Sequence, residues 1–328
     1  MTFTTQHLIK PAVVLMLAMA GLTSFANATY PEKPITMVVG YPPGGSTDAA
    51  GRAVAEGLAK ALKATVTVEN IGGAGGVIGA KKLMAAKPDG YTLLVGSNNE
   101  LAIAPLVSPS ARYDALKDMT SLGFVATQPI VLVTSPKTGI TSLAQFMDAV
   151  KARPGQFSYG TSGVGSALHL TGELVKQKGG LGITHVPYRG VASLLNDVLG
   201  GNIEFAFFVQ SSILSQIQSG KVVPLAVSED KRSAQLPQVP SLSEHPSLKG
   251  AAISSWFMLM APRHLPEPVH KTLTAGFAAL LQEPAFRKRL EATGSRVATG
   301  DEKAGDILQA EVAAYRGIVT TANIKLDE

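Results

Sequence analysis

Two glycine-rich stretches lie between an apolar run and the start of a helical pattern: Pro42-Pro43-Gly44-Gly45-Ser46-Thr47-Asp48 and Gly160-Thr161-Ser162-Gly163-Val164-Gly165-Ser166. A helix start leaves its first N–H groups unpaired and carries partial positive charge, and glycine lets a ligand approach the backbone. Each stretch is a candidate anion site, and the two together could hold both ends of one anion. The plain alternative is that the glycines make tight turns and Ser166 merely caps a helix. Neither stretch has the Lys of a Walker A loop, and neither gives Gly-x-Gly-x-x-Gly with an acid suitably downstream. The run from Gly72 to Gly79 follows a strand, yet reads better as a turn with a glycine face for close helix packing. Asp48 and Arg52 sit four apart at a helix start, where they brace the loop. Ser166 and His169 share a helical face with nucleophile-and-base spacing, but no Gly-x-Ser-x-Gly elbow or acid partner accompanies them. The six histidines show no metal-ligand spacing, so neither metal nor cofactor is expected.

Short Val- and Ile-rich runs alternate with helical periodicity, which argues for parallel sheets covered by helices. The first series places strands at Ile35 to Val39, Thr65 to Val68 and Tyr91 to Val95, with a helix carrying Ala50, Val54, Leu58 and Leu62 between the first two. A second series has strands at Ile130 to Thr134, Ser158 to Gly160, Ile183 to Val186, Ile203 to Phe207 and Val222 to Val227. Its first helix opens on the pattern Ser142-x-x-Gln145. Two doubly wound α/β lobes are the natural reading. The tail from Pro268 reads as helical, with Gly294 as a C-cap and Leu308, Val312 and Tyr315 on one face.

Residues 1–28 read as a secretory signal: Lys10, an apolar run from Val13 to Ala20, and the small-x-small site Ala26-Asn27-Ala28. Cleavage after Ala28 would leave a 300-residue mature chain of the 328, beginning at Thr29. That length suits two domains. The chain has no Cys, which removes thiol catalysis and Cys-ligated metal and implies cores that need no disulfide. A formal net charge of +5, with scattered basic residues, favours anions mildly and gives no nucleic-acid footprint. No later apolar run is long enough to span a bilayer, so a soluble mature monomer is expected.

In this setting the chain resembles the substrate-binding proteins of tripartite tricarboxylate transporters, also called Bug receptors. The matching stretches are Tyr41 to Asp48 with Arg52, Glu69-Asn70 through Gly79, Pro88 to Leu94, Tyr159 through Ser166 with His169-Leu170, His185 to Gly190, and Leu236 to Ser241. The resemblance implies a periplasmic Venus flytrap with a ligand cleft between its lobes. Lobe 1 is expected over residues 29–127 plus 255–328 and lobe 2 over 128–254, with crossings near Gln128 and Ser254. It implies ligand contacts at Tyr41, Pro43, Gly44, Gly45, Ser46 and Asp48; at Ser97, Asn98 and Asn99; at Ser162, Gly163, Gly165, Ser166 and His169; and at Tyr188 and Gly190. Two departures stand out: Ala104 precedes Pro105 where many relatives have Asn, and Phe208-Val209 stands where many have Asp-Asn. Phe208 is therefore expected to line the pocket as a stacking face for an apolar or aromatic acid and to disfavour a ligand ammonium. The implied function is capture of a small mono- or dicarboxylate and delivery to a membrane permease, without catalysis. Signalling to a membrane sensor is the first alternative, and an enzyme using Ser166 and His169 the second.

Overall fold

The computed structural model describes residues 30–325, so the signal segment and Thr29 lie outside the described residues. The first unit opens with strand β1 (Ile35–Val39), helix α1 (Ser46–Leu62), β2 (Val66–Asn70), α2 (Val77–Ala85) and β3 (Thr92–Ser97). Ile35, Met37, Val38 and Val39 are all fully buried, as expected of a parallel strand covered on both faces. α1 sets Ala50, Val54 and Leu58 against the sheet. Its Gly57 meets the last turns of a C-terminal helix so closely that an added Cβ would overlap Leu280.

After a π-helical turn (Asn99–Ile103) come the short helices α3 (Ala104–Val107) and α4 (Ala115–Asp118), then the 16-residue strand β4 (Met119–Thr134). The second unit contains α5 (Leu143–Ala152), β5 (Phe157–Thr161), α6 (Ala167–Gly179), β6 (Ile183–Pro187), α7 (Val191–Gly200), β7 (Phe205–Val209), α8 (Gln210–Gln218) and β8 (Val223–Val227). The chain returns through β9 (Ser254–Pro262), α9 (Glu267–Leu281), α10 (Pro284–Glu291), β10 (Arg296–Val297) and α11 (Ala304–Ala322).

The strands run in the order β2-β1-β3-β9-β4-β7-β5-β6, with β8 and β10 also pairing with β4. β1, β2 and β3 are parallel, as are β5, β6 and β7, while β4 and β9 cross between the two groups in antiparallel pairs. β4 keeps β9 as its partner as far as Pro129↔Ser254 and takes β7 from Ile130↔Val209 onward. One buried cluster spans both units through these strands, and a smaller one around Val131, Val133, Leu194, Val198 and Phe208 belongs to the second unit. This is the two-lobed α/β fold of the periplasmic binding proteins. Among the described residues no helix is long and apolar enough to cross a membrane.

Candidate functional site

The first glycine-rich loop leaves the carboxyl end of β1 and enters α1. Asp48 points back into it: its carboxylate accepts from the Gly44 N–H (2.9 Å), Arg52 Nε (3.0 Å) and Asn70 Nδ2 (2.8 Å). Asn70 also donates to the Tyr41 carbonyl (2.9 Å) and accepts from Arg52 (3.1 Å), so β2 grips the whole loop. Burial pushes the Asp48 carboxyl upward, but the bonds from Arg52, Gly44 and Asn70 prevail and hold it below the usual carboxylate range. Asp48 is thus an ionised brace, committed to protein partners. α1 itself starts at Gly45 without a side-chain cap. The N–H groups of Gly45, Ser46 and Thr47 find no acceptor among the described residues. A helix start with free N–H groups and a half-exposed approach has the donors and the partial positive charge that an anion needs.

Tyr41 fixes this loop to β3. Its Oη lies 2.8 Å from the Gly75 carbonyl, 3.2 Å from Ser97 Oγ and 2.7 Å from Glu100 Oε2. The Gly72 to Gly79 run does what close packing requires: a Cβ on Gly79 would lie 2.8 Å from the Gly40 Cα, and one on Gly76 would meet Glu100 and Tyr41. Ser97, Asn98 and Asn99 stand at the end of β3 but face different ways. Asn98 is fully buried and donates to the Ser254 carbonyl (3.0 Å) and Tyr315 Oη (3.1 Å), toward the crossover strand and α11. Asn99 reaches the second unit, where its Oδ1 accepts from the Ala167 N–H at the start of α6 (2.9 Å). This bond sets the carboxyl end of the first sheet against the second glycine-rich loop.

That second loop is more fully occupied from within. Ser166 Oγ accepts from the His169 N–H (3.2 Å) and donates to the Gly163 carbonyl (2.8 Å), which is a helix cap. His169 Nδ1 accepts from the Gly165 N–H (3.1 Å), and its ring stacks on His185 with centroids 3.8 Å apart. Burial lowers His169 to about 4; burial, then His169 and Lys176, lower His185 to about 3, so both rings are neutral at pH 7. No hydrogen bond joins Ser166 Oγ to the His169 ring, so the pair is not arranged as nucleophile and base. The N–H groups of Val164, Ser166 and Leu168 remain without acceptors among the described residues.

Tyr188 sits beside this loop, its N–H on the Thr161 carbonyl (2.9 Å) and its hydroxyl donating to Asp197 (2.8 Å). Gly190, with φ 106°, opens α7. Pro43 and Gly44 lie exposed on the first loop, and Ser162 and Gly163 are half-buried on the second. Phe208 departs from expectation. Its side chain is fully buried with Val131, Val133, Leu194 and Ile213, because both faces of β7 are covered, so it offers no stacking face to a ligand. Two participants escaped the sequence reading. Asn70 was visible only as part of a matching stretch, and Glu100 carried no signal beyond an acid among amides.

Two α/β units joined by crossing strands, with loops and helix starts meeting between them, define the class of extracytoplasmic solute-binding proteins. Comparison with known proteins agrees. The model for the "Tripartite tricarboxylate transporter family receptor" matches residues 50–324. The chain is 35% identical to "Protein BugT" of Bordetella pertussis over 318 residues, covering 95% of this chain and 96% of that protein. The solved structure of the periplasmic binding protein BugD is similar at 31% identity and TM-score 0.81, covering 90% of this chain and 99% of that one. An R. palustris protein solved with adipate gives 29% identity and TM-score 0.83, over 90% of this chain and 99% of the other. MatC from Rhodopseudomonas palustris, solved with bound malate, gives 26% and 0.80, over 88% and 100%. The chain belongs to the tripartite tricarboxylate transporter receptor family. It is a periplasmic binding protein of a transport system and not an enzyme.

Proposed function

We propose that this chain captures a small mono- or dicarboxylate between residues 29–127 plus 255–328 on one side and 128–254 on the other, and delivers it to a permease of the tripartite tricarboxylate type. The observation that carries the reading is the uncapped start of α1, where three successive N–H groups lack acceptors among the described residues beside a loop clamped by Asp48, Arg52 and Asn70. A carboxylate there completes hydrogen bonds that the protein leaves open, and the helix dipole favours its charge. The second loop contributes the N–H groups of Val164, Ser166 and Leu168, and Asn99 offers an amide between the two. Relatives solved with malate and with adipate support a dicarboxylate of four to six carbons as the first class to try. Phe208, buried as it is, supplies no preference for an aromatic acid. Export with cleavage after Ala28 completes the proposal and is checked by the N-terminal sequence of the periplasmic protein.

A thermal-shift screen over organic acids tests this function. A ligand at 100 times its dissociation constant adds about 2.7 kcal/mol to the folded state, a melting shift on the order of 5–10 °C for lobes of this size. Stabilisation by malate, adipate or a close homologue, with the acid recovered unchanged, is the expected result. Stabilisation by sugars alone would overturn the carboxylate assignment, and stabilisation by amino acids without their deaminated analogues would replace a plain organic acid by an amino acid as the ligand.

A further inference from the structure

Glu100 lies fully buried directly behind the first ligand loop, with no lysine, arginine or histidine paired to it among the described residues. Its surroundings come from four places. Tyr41 faces it from the β1–α1 loop, Gly75 and Gly76 from the glycine-rich turn, and Ser97 from the end of β3. Tyr113, ahead of α4, donates to the Glu100 carbonyl (2.7 Å). Tyr41 and Tyr113 are the titratable groups facing it, and each is held above the ordinary phenol range, by burial first and then by Glu100.

The short oxygen contacts bear on the number of protons, the 3.2 Å separation of Tyr41 Oη and Ser97 Oγ being longer than an ordinary O–H···O bond. Tyr41 Oη to the Gly75 carbonyl (2.8 Å), Tyr41 Oη to Glu100 Oε2 (2.7 Å) and Ser97 Oγ to Glu100 Oε2 (2.6 Å) are three short contacts, each needing one hydrogen. With Glu100 ionised, only the two hydroxyl hydrogens are present, and one pair of oxygens must meet lone pair to lone pair. With Glu100 protonated on Oε2, all three contacts are filled. Tyr41 then donates to Gly75, Glu100 to Tyr41, and Ser97 to Glu100, while Oε1 accepts from the Ser97 N–H (2.8 Å). Burial without a cation pushes the carboxyl in the same direction, above its usual range.

We propose that Glu100 is a positioning residue that works as a neutral acid, and that the chain binds its carboxylate ligand together with the Glu100 proton. The coupling rests on the carboxylate reading above: Tyr41 belongs to the loop that presents Gly45, Ser46 and Thr47, so an ionised Glu100 both disorders the hydrogens that hold that loop and opposes an anion arriving in front of it. By linkage, the ligand raises the affinity of Glu100 for its proton, and affinity falls as pH rises through the Glu100 titration, by at most tenfold per pH unit. Glu100→Gln keeps a neutral donor at the same place and removes the titration.

The test has two arms. In the ligand-free protein, carbon-13 NMR of glutamate carboxyls, with Glu100 assigned by its loss in Glu100→Gln, should show this group titrating well above about pH 4.3, the ordinary glutamate value. A Glu100 with an ordinary midpoint overturns the proposal. At the measured midpoint, malate and adipate are then titrated calorimetrically in two buffers of different ionisation heat. Wild type should take up as much as about half a proton per ligand, and Glu100→Gln, whatever its affinity, none. Binding without proton uptake, uptake that persists in Glu100→Gln, or a carboxyl that never ionises within the stable pH range overturns the coupling alone. Failure of both acids to bind overturns the carboxylate reading, and the coupling falls with it.

Discussion

In the proposed site, Asp48 acts through protein partners. Its carboxylate satisfies the Gly44 N–H and pairs with Arg52 and Asn70, while the N–H groups of Gly45, Ser46 and Thr47 find no acceptor among the described residues. Asp48→Asn weakens these bonds and removes the charge that Arg52 answers. Loss of one buried hydrogen bond to a charged group costs roughly 1.5–3 kcal/mol, so the expected outcome is a lower melting temperature and a ligand affinity reduced by at least about tenfold. An unchanged affinity, measured by calorimetry, would mean that the loop holds its shape without this brace. The spacing of Asp48 and Arg52 made the bracing legible in sequence. The roles of Ser166 and His169 were half legible: capping follows from Ser before a helical pattern, whereas the His169 bond to the Gly165 N–H depends on a loop conformation, Gly165 at φ 69°, that spacing does not encode. Phe208 was misplaced for a related reason. A strand buried on both faces has no alternation from which to tell the inside from the cleft edge.

The short strand β1 was readable because it is a Val- and Ile-rich run fed into a periodic helix. β4 was read only from Ile130 to Thr134: its first part contains Thr120, Ser121, Gly123, Thr127, Gln128 and Pro129, and it is a strand because β9 lies alongside it with two register shifts. Tertiary pairing overrides propensity there. The elements around the second loop carry a pH dependence of their own. His169 sits below the ordinary histidine value by burial, so the folded state resists its protonation while the unfolded chain accepts a proton near pH 6.5. Stability contributed by the neutral ring is therefore present above about pH 6.5 and is lost as pH falls toward about 4. A charged ring would also lose the lone pair that accepts from Gly165. His169→Asn supplies a non-titrating acceptor, and its melting temperature should fall less steeply than that of wild type between about pH 6.5 and 4.5. Parallel pH profiles for the two proteins would assign acid sensitivity elsewhere.

At the scale of the molecule, the first sheet's carboxyl end meets the second unit through the bond from the Ala167 N–H to Asn99. Asn99 thereby occupies a helix N–H group that an anion could otherwise use, and it ties the two units together. Asn99→Ala should let the unliganded protein open, seen as a larger radius of gyration by small-angle X-ray scattering that shrinks again on adding a bound dicarboxylate. Equal radii for the two unliganded proteins would show that the bond does not hold the units closed. The central claim, that backbone N–H groups at the start of α1 hold a carboxylate, has a direct test in one position. Ser46 is the first helical residue, where proline is well tolerated, and the extended Gly45 before it (φ −82°, ψ 173°) suits a following proline. Ser46→Pro deletes the N–H and the hydroxyl; Ser46→Ala deletes the hydroxyl alone. Calorimetric titration of both variants with the acid identified in the screen should give an affinity for Ser46→Pro lower by about tenfold to a hundredfold, at matched melting temperatures of the unliganded proteins. Equal affinity in Ser46→Pro and Ser46→Ala would contradict the claim, because the carboxylate would then be bound without the donor said to hold it.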